Sequence, residues 1–270
     1  MNALQILKNS GEREDFSIMK LQNSLVACGL EPARAKEISA QIKQKCSQGY
    51  STKKLYRLAR KLIKKESRVL ASRYSMTKAI SELGPDGFHF EKFICAIFNQ
   101  QGYRATTNIS LKGKCVEHEI DVKAVGEKTI LCECKFHNNP NSKNDVKTSL
   151  YVNARAEDLR NNSQNSFHEF WLVSNTKFSK DAITYSNCVG LKLLGPNAPK
   201  KQALSELAIK TKVFPVSVLT TLKKSQAKYL IQNDCLLVSQ LVKNQQFFEG
   251  LELSQEQKGQ ILNEAENLLK

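Results

Sequence analysis

The chain has 270 residues, is 41% hydrophobic and 25% charged, and carries a formal net charge of +15. That apolar content is enough for a globular core. No run approaches the roughly 18 apolar residues of a membrane span, and residues 1–8 lack the apolar core of a signal peptide. The expectation is therefore a cytoplasmic, non-membrane protein of two or three domains.

The charge is uneven. Residues 1–80 hold 17 Lys/Arg against 6 Asp/Glu, residues 81–197 hold 14 against 13, and residues 198–270 hold 10 against 7. A basic N-terminal third suits a polyanion, either nucleic acid or nucleotide phosphate. A solvated basic face with no specific partner is the alternative. The eight cysteines mostly lie in apolar stretches, where a free thiol packs as a small hydrophobe. Cys132 and Cys134 form a CxC, but no second Cys or His pair stands at structural-zinc spacing.

In chain order, Ile6 and Phe16 bracket a hairpin turn at Lys8-Asn9-Ser10-Gly11. Ser17 caps a helix reaching Gly29, Pro32 opens a second, and Ser51 or Thr52 starts a third with Leu55, Leu58, Leu62 and Ile63 at helical spacing. A fourth runs over 70–83. Gly84-Pro85-Asp86-Gly87 then breaks the chain. Residues 88–197 read as a helix at 90–100, strands at 103–109, 115–123 and 128–136, a helix at 145–160, a strand at 169–175, a helix at 179–187 and a last strand near Leu193. This order indicates an α/β domain. Residues 198–270 read as wholly helical.

The chemistry concentrates in Glu117-His118-Glu119-Ile120-Asp121-Val122 and Leu131-Cys132-Glu133-Cys134-Lys135-Phe136. Side chains alternate along strands, so Ile130, Cys132, Cys134 and Phe136 share one face and Glu133 and Lys135 the other. By the same rule His118, Ile120 and Val122 share a face opposite Glu119 and Asp121. A hairpin brings Asp121 beside Glu133 and Lys135. Two converging carboxylates repel unless a cation joins them, and a hard divalent cation such as Mg²⁺ (or Mn²⁺) prefers such oxygens. Asp121, Glu133 and the carbonyl of Cys134 are the candidate ligands, and Lys135 the candidate partner of attacking water and phosphate. An ordinary charged strand face with cross-strand pairs has the same spacing.

This pattern resembles the PD-(D/E)xK nucleases, and residues 85–197 resemble their Mrr-like restriction endonuclease branch. The resemblance implies a nuclease core with a mixed central sheet flanked by helices, acting on double-stranded DNA. It gives Glu91, on the helix before the strands, a supporting role in metal binding and catalysis. Ile120 stands where the nominal motif has Pro, and the Gln-x-x-x-Gln of the later helix is missing; Lys147 occupies that region. His137 follows the ExK strand, with phosphate contact and a surface or capping role both open.

Residues 3–80 resemble an ATP-cone, on Ile6-Leu7-Lys8-Asn9-Ser10-Gly11, Arg13, Phe16, Lys20-Leu21, Gly49-Tyr50-Ser51-Thr52 and Leu70-Ala71-Ser72-Arg73-Tyr74. The resemblance implies ATP or dATP bound through Lys8, Lys20 and Thr52, although Asn9 and Ser10 replace the usual basic and acidic residues. A basic DNA-holding module is the alternative. Residues 214–235 resemble a helix-hairpin-helix without its hairpin glycine. The expected architecture is an ATP-cone-like domain at 1–83, a nuclease domain at 84–197 and a helical C-terminal tail at 198–270 suited to gripping DNA or forming a homodimer. The expected function is a metal-dependent DNA endonuclease, with nucleotide regulation. The alternatives are a nucleotide-sensing DNA-binding regulator with an inactive nuclease fold, and a junction-resolving or repair nuclease.

Overall fold

A computed structural model of the chain describes residues 4–8, 11–85, 87–200 and 202–270. The hairpin residues Asn9 and Ser10, and Asp86 of the breaker, lie outside them. The N-terminal region comprises β1 (Gln5–Leu7), β2 (Arg13–Asp15), α1 (Ile18–Ala27), α2 (Pro32–Lys45), β3 (Tyr50–Ser51), α3 (Thr52–Glu66), α4 (Arg68–Tyr74) and α5 (Met76–Ser81). β1 pairs antiparallel with β2 and parallel with β3. Ser17, Ser51 and Ser67 each cap the following helix by accepting a backbone N–H. Leu25, Ile38, Ile42, Ala59 and Ile63 form this region's core.

The helix expected over 70–83 is two helices. Ser75 interrupts it: its hydroxyl donates to the Ala71 carbonyl and accepts from Arg60 Nε, both at 2.8 Å. A side chain bonded back to the i−4 carbonyl competes with the helical ladder.

The central region runs through α6 (Phe88–Gln100), β4 (Arg104–Lys112), β5 (Glu117–Val125), β6 (Thr129–Lys135), β7 (Lys143–Asn144), α7 (Val146–Arg160), β8 (Glu169–Ser174), β9 (Lys177–Phe178), α8 (Lys180–Val189) and β10 (Lys192–Leu194). Five strands form one mixed sheet in the order β10-β8-β6-β5-β4. β4, β5 and β6 are antiparallel neighbours, whereas β6, β8 and β10 run parallel. One face packs on α6 through Val122, Ala124, Ile130, Cys132 and Val173. The other carries a core of Ile120, Leu131, Phe170 and Leu172 with Val152, Ala156 and Leu159 of α7 and Ala182 of α8.

The C-terminal residues form α9 (Leu204–Lys210), α10 (Lys224–Gln232), α11 (Val238–Lys243) and α12 (Gln255–Leu269), with single 3₁₀ turns at Val216–Val218 and Gln245–Phe248. They are not a free tail. Phe214, Val216, Leu230, Leu241 and Leu268 share one core with α5 and α6. Two extended segments also cross: Val216 N–H donates to Leu236 and Val238 N–H to Phe214. No helix among the described residues is long and apolar enough to cross a membrane.

Glu264 of α12 joins the N- and C-terminal regions. It is 4% exposed and accepts from Ser72 Oγ (2.9 Å) and the amides of Thr220 (2.7 Å) and Thr221 (2.9 Å). Truncation strands buried donors, each costing about 1–3 kcal/mol. Glu264→Ala should lower the unfolding free energy by about 2–5 kcal/mol in urea titrations, and Glu264→Gln, which keeps an acceptor, by less. A loss near zero for the alanine variant would remove this carboxylate as a structural tie.

Candidate active site

β6 lies at the centre of the sheet, between β5 and β8, and so is buried on both faces. Ile130 and Cys132 meet α6, while Leu131 and Glu133 turn towards α7. A carboxylate buried among apolar side chains needs compensating cations. Glu133, with a side chain only 3% exposed, has two: Lys135 Nζ at 2.6 Å on one oxygen and Arg155 Nη1 of α7 at 2.5 Å on the other. Arg155 also donates to the Glu119 carbonyl and lies over the Tyr151 ring, 5.8 Å from its centroid. Lys135 is more open, about a third exposed.

Asp121 occupies a gap. The β5–β6 ladder runs from Val125↔Thr129 to Val122↔Cys132 and stops there. Beyond its end, the Asp121 carboxylate accepts the Cys134 amide at 2.6 Å. The amide and carbonyl of a strand residue point to the same side, so the Cys134 carbonyl faces this gap too. On the other neighbour, Asn108 of β4 has a left-handed backbone (φ 53°) between the pairs Thr107↔Val122 and Ile109↔Ile120. Strict alternation therefore fails here. Ile120 lies in the α7 core and Val122 in the α6 core, contrary to the single shared face that the spacing predicts.

Glu91 stands in the first turn of α6, which starts at Gly87 in a left-handed conformation (φ 86°). Glu91 is close enough to Asp121 for repulsion between the two charges. Asp121 is pushed up to about 7, first by burial, then by Glu133, and further by Glu91; the Cys134 amide and Lys135 only partly oppose this. The structure thus brings together all four residues singled out for catalysis, Asp121, Glu133, Lys135 and Glu91. It leaves Asp121 the carboxylate without a neutralising ion pair among the described residues. Nor do three His, Cys, Asp or Glu side chains there stand close enough to hold a metal ion by themselves.

Arg155 carries no signal in the sequence, because only the packing of α7 on β6 aims it at Glu133. The buried polar set behind the strand is equally illegible. Ser174 Oγ donates to the Lys135 carbonyl at 2.6 Å, Asn144 Nδ2 donates to Ser174 at 2.8 Å, and His137 Nε2 meets Asn144 Oδ1 at 3.0 Å. His137 is therefore tied into the support of β6. Lys147 is exposed on α7. All eight cysteines are free, and burial holds the Cys132 and Cys134 thiols well above their ordinary range, which suits packing rather than thiolate–metal chemistry.

In the N-terminal region, Lys8 (3.0 Å) and Lys20 both pair with Glu14, whose carboxyl they hold down at about 2. Lys20 and Thr52 line one cavity of about 210 Å³, along with Glu14 itself.

Residues 84–195 match the restriction endonuclease family, in its Mrr catalytic-domain form, and residues 214–269 match the AF1548-like C-terminal family. An uncharacterized protein of Archaeoglobus fulgidus is 37% identical over 125 residues, 46% of this chain and 69% of that protein. A crystal structure described as protein of unknown function AF1548 has 28% sequence identity and a TM-score of 0.53, covering 67% of this chain and 97% of its own. The chain belongs to the family of that Archaeoglobus fulgidus protein, with a restriction-endonuclease domain of the Mrr type ahead of its AF1548-like C-terminal region.

Proposed function

We propose that the protein is a metal-dependent DNA endonuclease whose centre is Asp121, Glu133, Lys135 and the Cys134 carbonyl, with Glu91 in support. The observation that carries this reading is the half-buried Asp121 carboxylate beside Glu133 and Glu91, answered by one backbone amide and raised to about 7. A divalent cation relieves that repulsion. The donor set, two carboxylates and one backbone carbonyl, fits Mg²⁺, which binds through one or two carboxylates and keeps several waters. Bound there, the cation would supply Lewis-acid polarisation of the scissile phosphodiester.

The chain's own residues do the rest. Lys135 can hold the attacking water and offset charge on the phosphate. Arg155 answers the Glu133 carboxylate from α7, and the Ser174–Asn144 pair fixes the backbone at Lys135. The excess of Lys and Arg in residues 1–80 supplies sequence-independent attraction to the DNA backbone. The intact Asp121, Glu133 and Lys135 favour an active enzyme over a regulator with a dead nuclease fold. ATP or dATP at Lys8, Lys20 and Thr52 has weaker support. Both lysines already serve Glu14, and the cavity, about 210 Å³, is below the roughly 300 Å³ at which ligand pockets begin.

Plasmid cleavage with Mg²⁺ tests the centre. Asp121→Asn, Glu133→Gln and Lys135→Ala should each lower the rate by about 10²–10³-fold or more, with duplex affinity in EDTA little changed. Cutting by Asp121→Asn at the parental rate would remove the assignment.

The Asp121 shift also predicts a pH dependence of stability. A carboxyl whose pKa is higher folded than unfolded binds its proton more tightly in the native state, so stability falls as pH rises from about 4 to about 7. Each unit corresponds to about 1.4 kcal/mol. In EDTA, Asp121→Asn should melt at a higher temperature than the parent above pH 7, and the gap should close towards pH 4. A variant that melts lower at high pH would contradict the charge imbalance.

A further inference from the structure

A second cleft, about 590 Å³, opens where the N-terminal helices, α5, the start of the nuclease region and α10 meet. Its walls divide by chemistry. Arg60 of α3, Lys78 of α5, and Lys223, Lys224 and Lys228 at α10 supply five cations. Leu219, Leu222, Ala227 and Ile231 supply an apolar side. Among the described residues Glu82 is the acidic one in the lining, 3.7 Å from both Lys78 and Lys224. Lys223 and Lys228 make no ion pair among the described residues.

Two hydroxyls in the lining of the cleft, Tyr56 OH and Ser217 Oγ, are shielded from solvent; Ser217 makes no hydrogen bond, and Tyr56 has Ser75 beside it. The Tyr56 ring is stacked on Tyr74 with centroids 5.4 Å apart, which fixes its direction. Shielded hydroxyls without partners are uncommon in folded proteins. The excess of cations over carboxylates in the described lining suits anionic oxygens.

We propose that this cleft binds a small phosphorylated molecule with an apolar body, of the nucleoside triphosphate class. The phosphates would meet the five cations, and the base would lie against Leu219, Leu222 and Ile231. The volume is in the range of small-ligand sites, roughly 300–1,000 Å³, and a DNA duplex is too wide to enter. The occupant would touch all three regions of the chain. The lining also includes Asn138, three residues beyond Lys135, whose side chain donates to the Pro85 carbonyl at 2.9 Å. The ligand would therefore sit against the exit of the strand that carries the nuclease residues.

The test is isothermal titration of the full-length protein in EDTA with ATP, and separately with inorganic tripolyphosphate. ATP should bind, and more tightly than tripolyphosphate. The double variant Lys224→Glu/Lys228→Glu should weaken ATP by about tenfold or more, as expected for lost charge-assisted bonds. Lys20→Ala and Asp121→Asn should bind ATP as the parent does, which separates this cleft from the N-terminal cavity and from the nuclease centre. No heat at millimolar ATP would overturn the proposal. So would parental ATP affinity in the double variant, a loss of duplex-DNA affinity alone, or equal affinity for ATP and tripolyphosphate.

Discussion

The arrangement of the nuclease region turns on an unequal sharing of charge between two neighbouring carboxylates. Glu133 is buried and answered by Lys135 and Arg155. Asp121 lies in the gap where β5 leaves β6 and is answered by one backbone amide. Burial and the repulsion of Glu133 and Glu91 therefore fall on Asp121, and a proton relieves them in the absence of anything better. A divalent cation held by Asp121 and Glu133 would relieve them more fully.

The fold maintains that imbalance. Because β6 is central and carries helices on both faces, Glu133 cannot turn to water, and Arg155 must come to it from α7. Because the β5–β6 ladder ends at Val122, the Asp121 carboxylate takes the place of a ladder partner instead of pointing to solvent. The base of α6 also needs room near the same point. A Cβ at Gly84 would stand 2.5 Å from Asn138 Oδ1 and 2.6 Å from the Phe136 ring, so a larger residue there would push aside side chains at the end of β6. The shared core of α5, α6 and the C-terminal helices then holds that helix, and Glu91 with it, against the sheet.

Much of this was legible in the sequence because it depends on local periodicity. The strands bearing Asp121, Glu133 and Lys135, the helix bearing Glu91, and the serine caps of α1 and α3 all follow from alternation, helical spacing and cap chemistry. What escaped depends on contacts far apart in the chain. Arg155 lies 22 residues from Glu133, and nothing local marks it. The separation of Ile120 and Val122 into different cores falls where the β4–β5 ladder skips Asn108, whose backbone is left-handed. The C-terminal residues read as a tail because their apolar positions have no local partner; they meet it on α5 and α6. The clustering of Lys and Arg predicted a polyanion but not its place, since a cation's partners depend on which helices converge. Lys8 and Lys20 converge on Glu14, while Arg60 and Lys228 line a cleft between regions.

The central claim is that the gap between Asp121 and the Cys134 carbonyl is a cation site. Crystals of the full-length protein soaked in Mn²⁺, measured at the manganese absorption edge, test it without relying on activity. An anomalous peak is expected within coordination distance of the Asp121 carboxylate and the Cys134 carbonyl, and none in Asp121→Asn. A peak elsewhere, or an empty gap with Asp121 still bonded only to the Cys134 amide at saturating Mn²⁺, would contradict it.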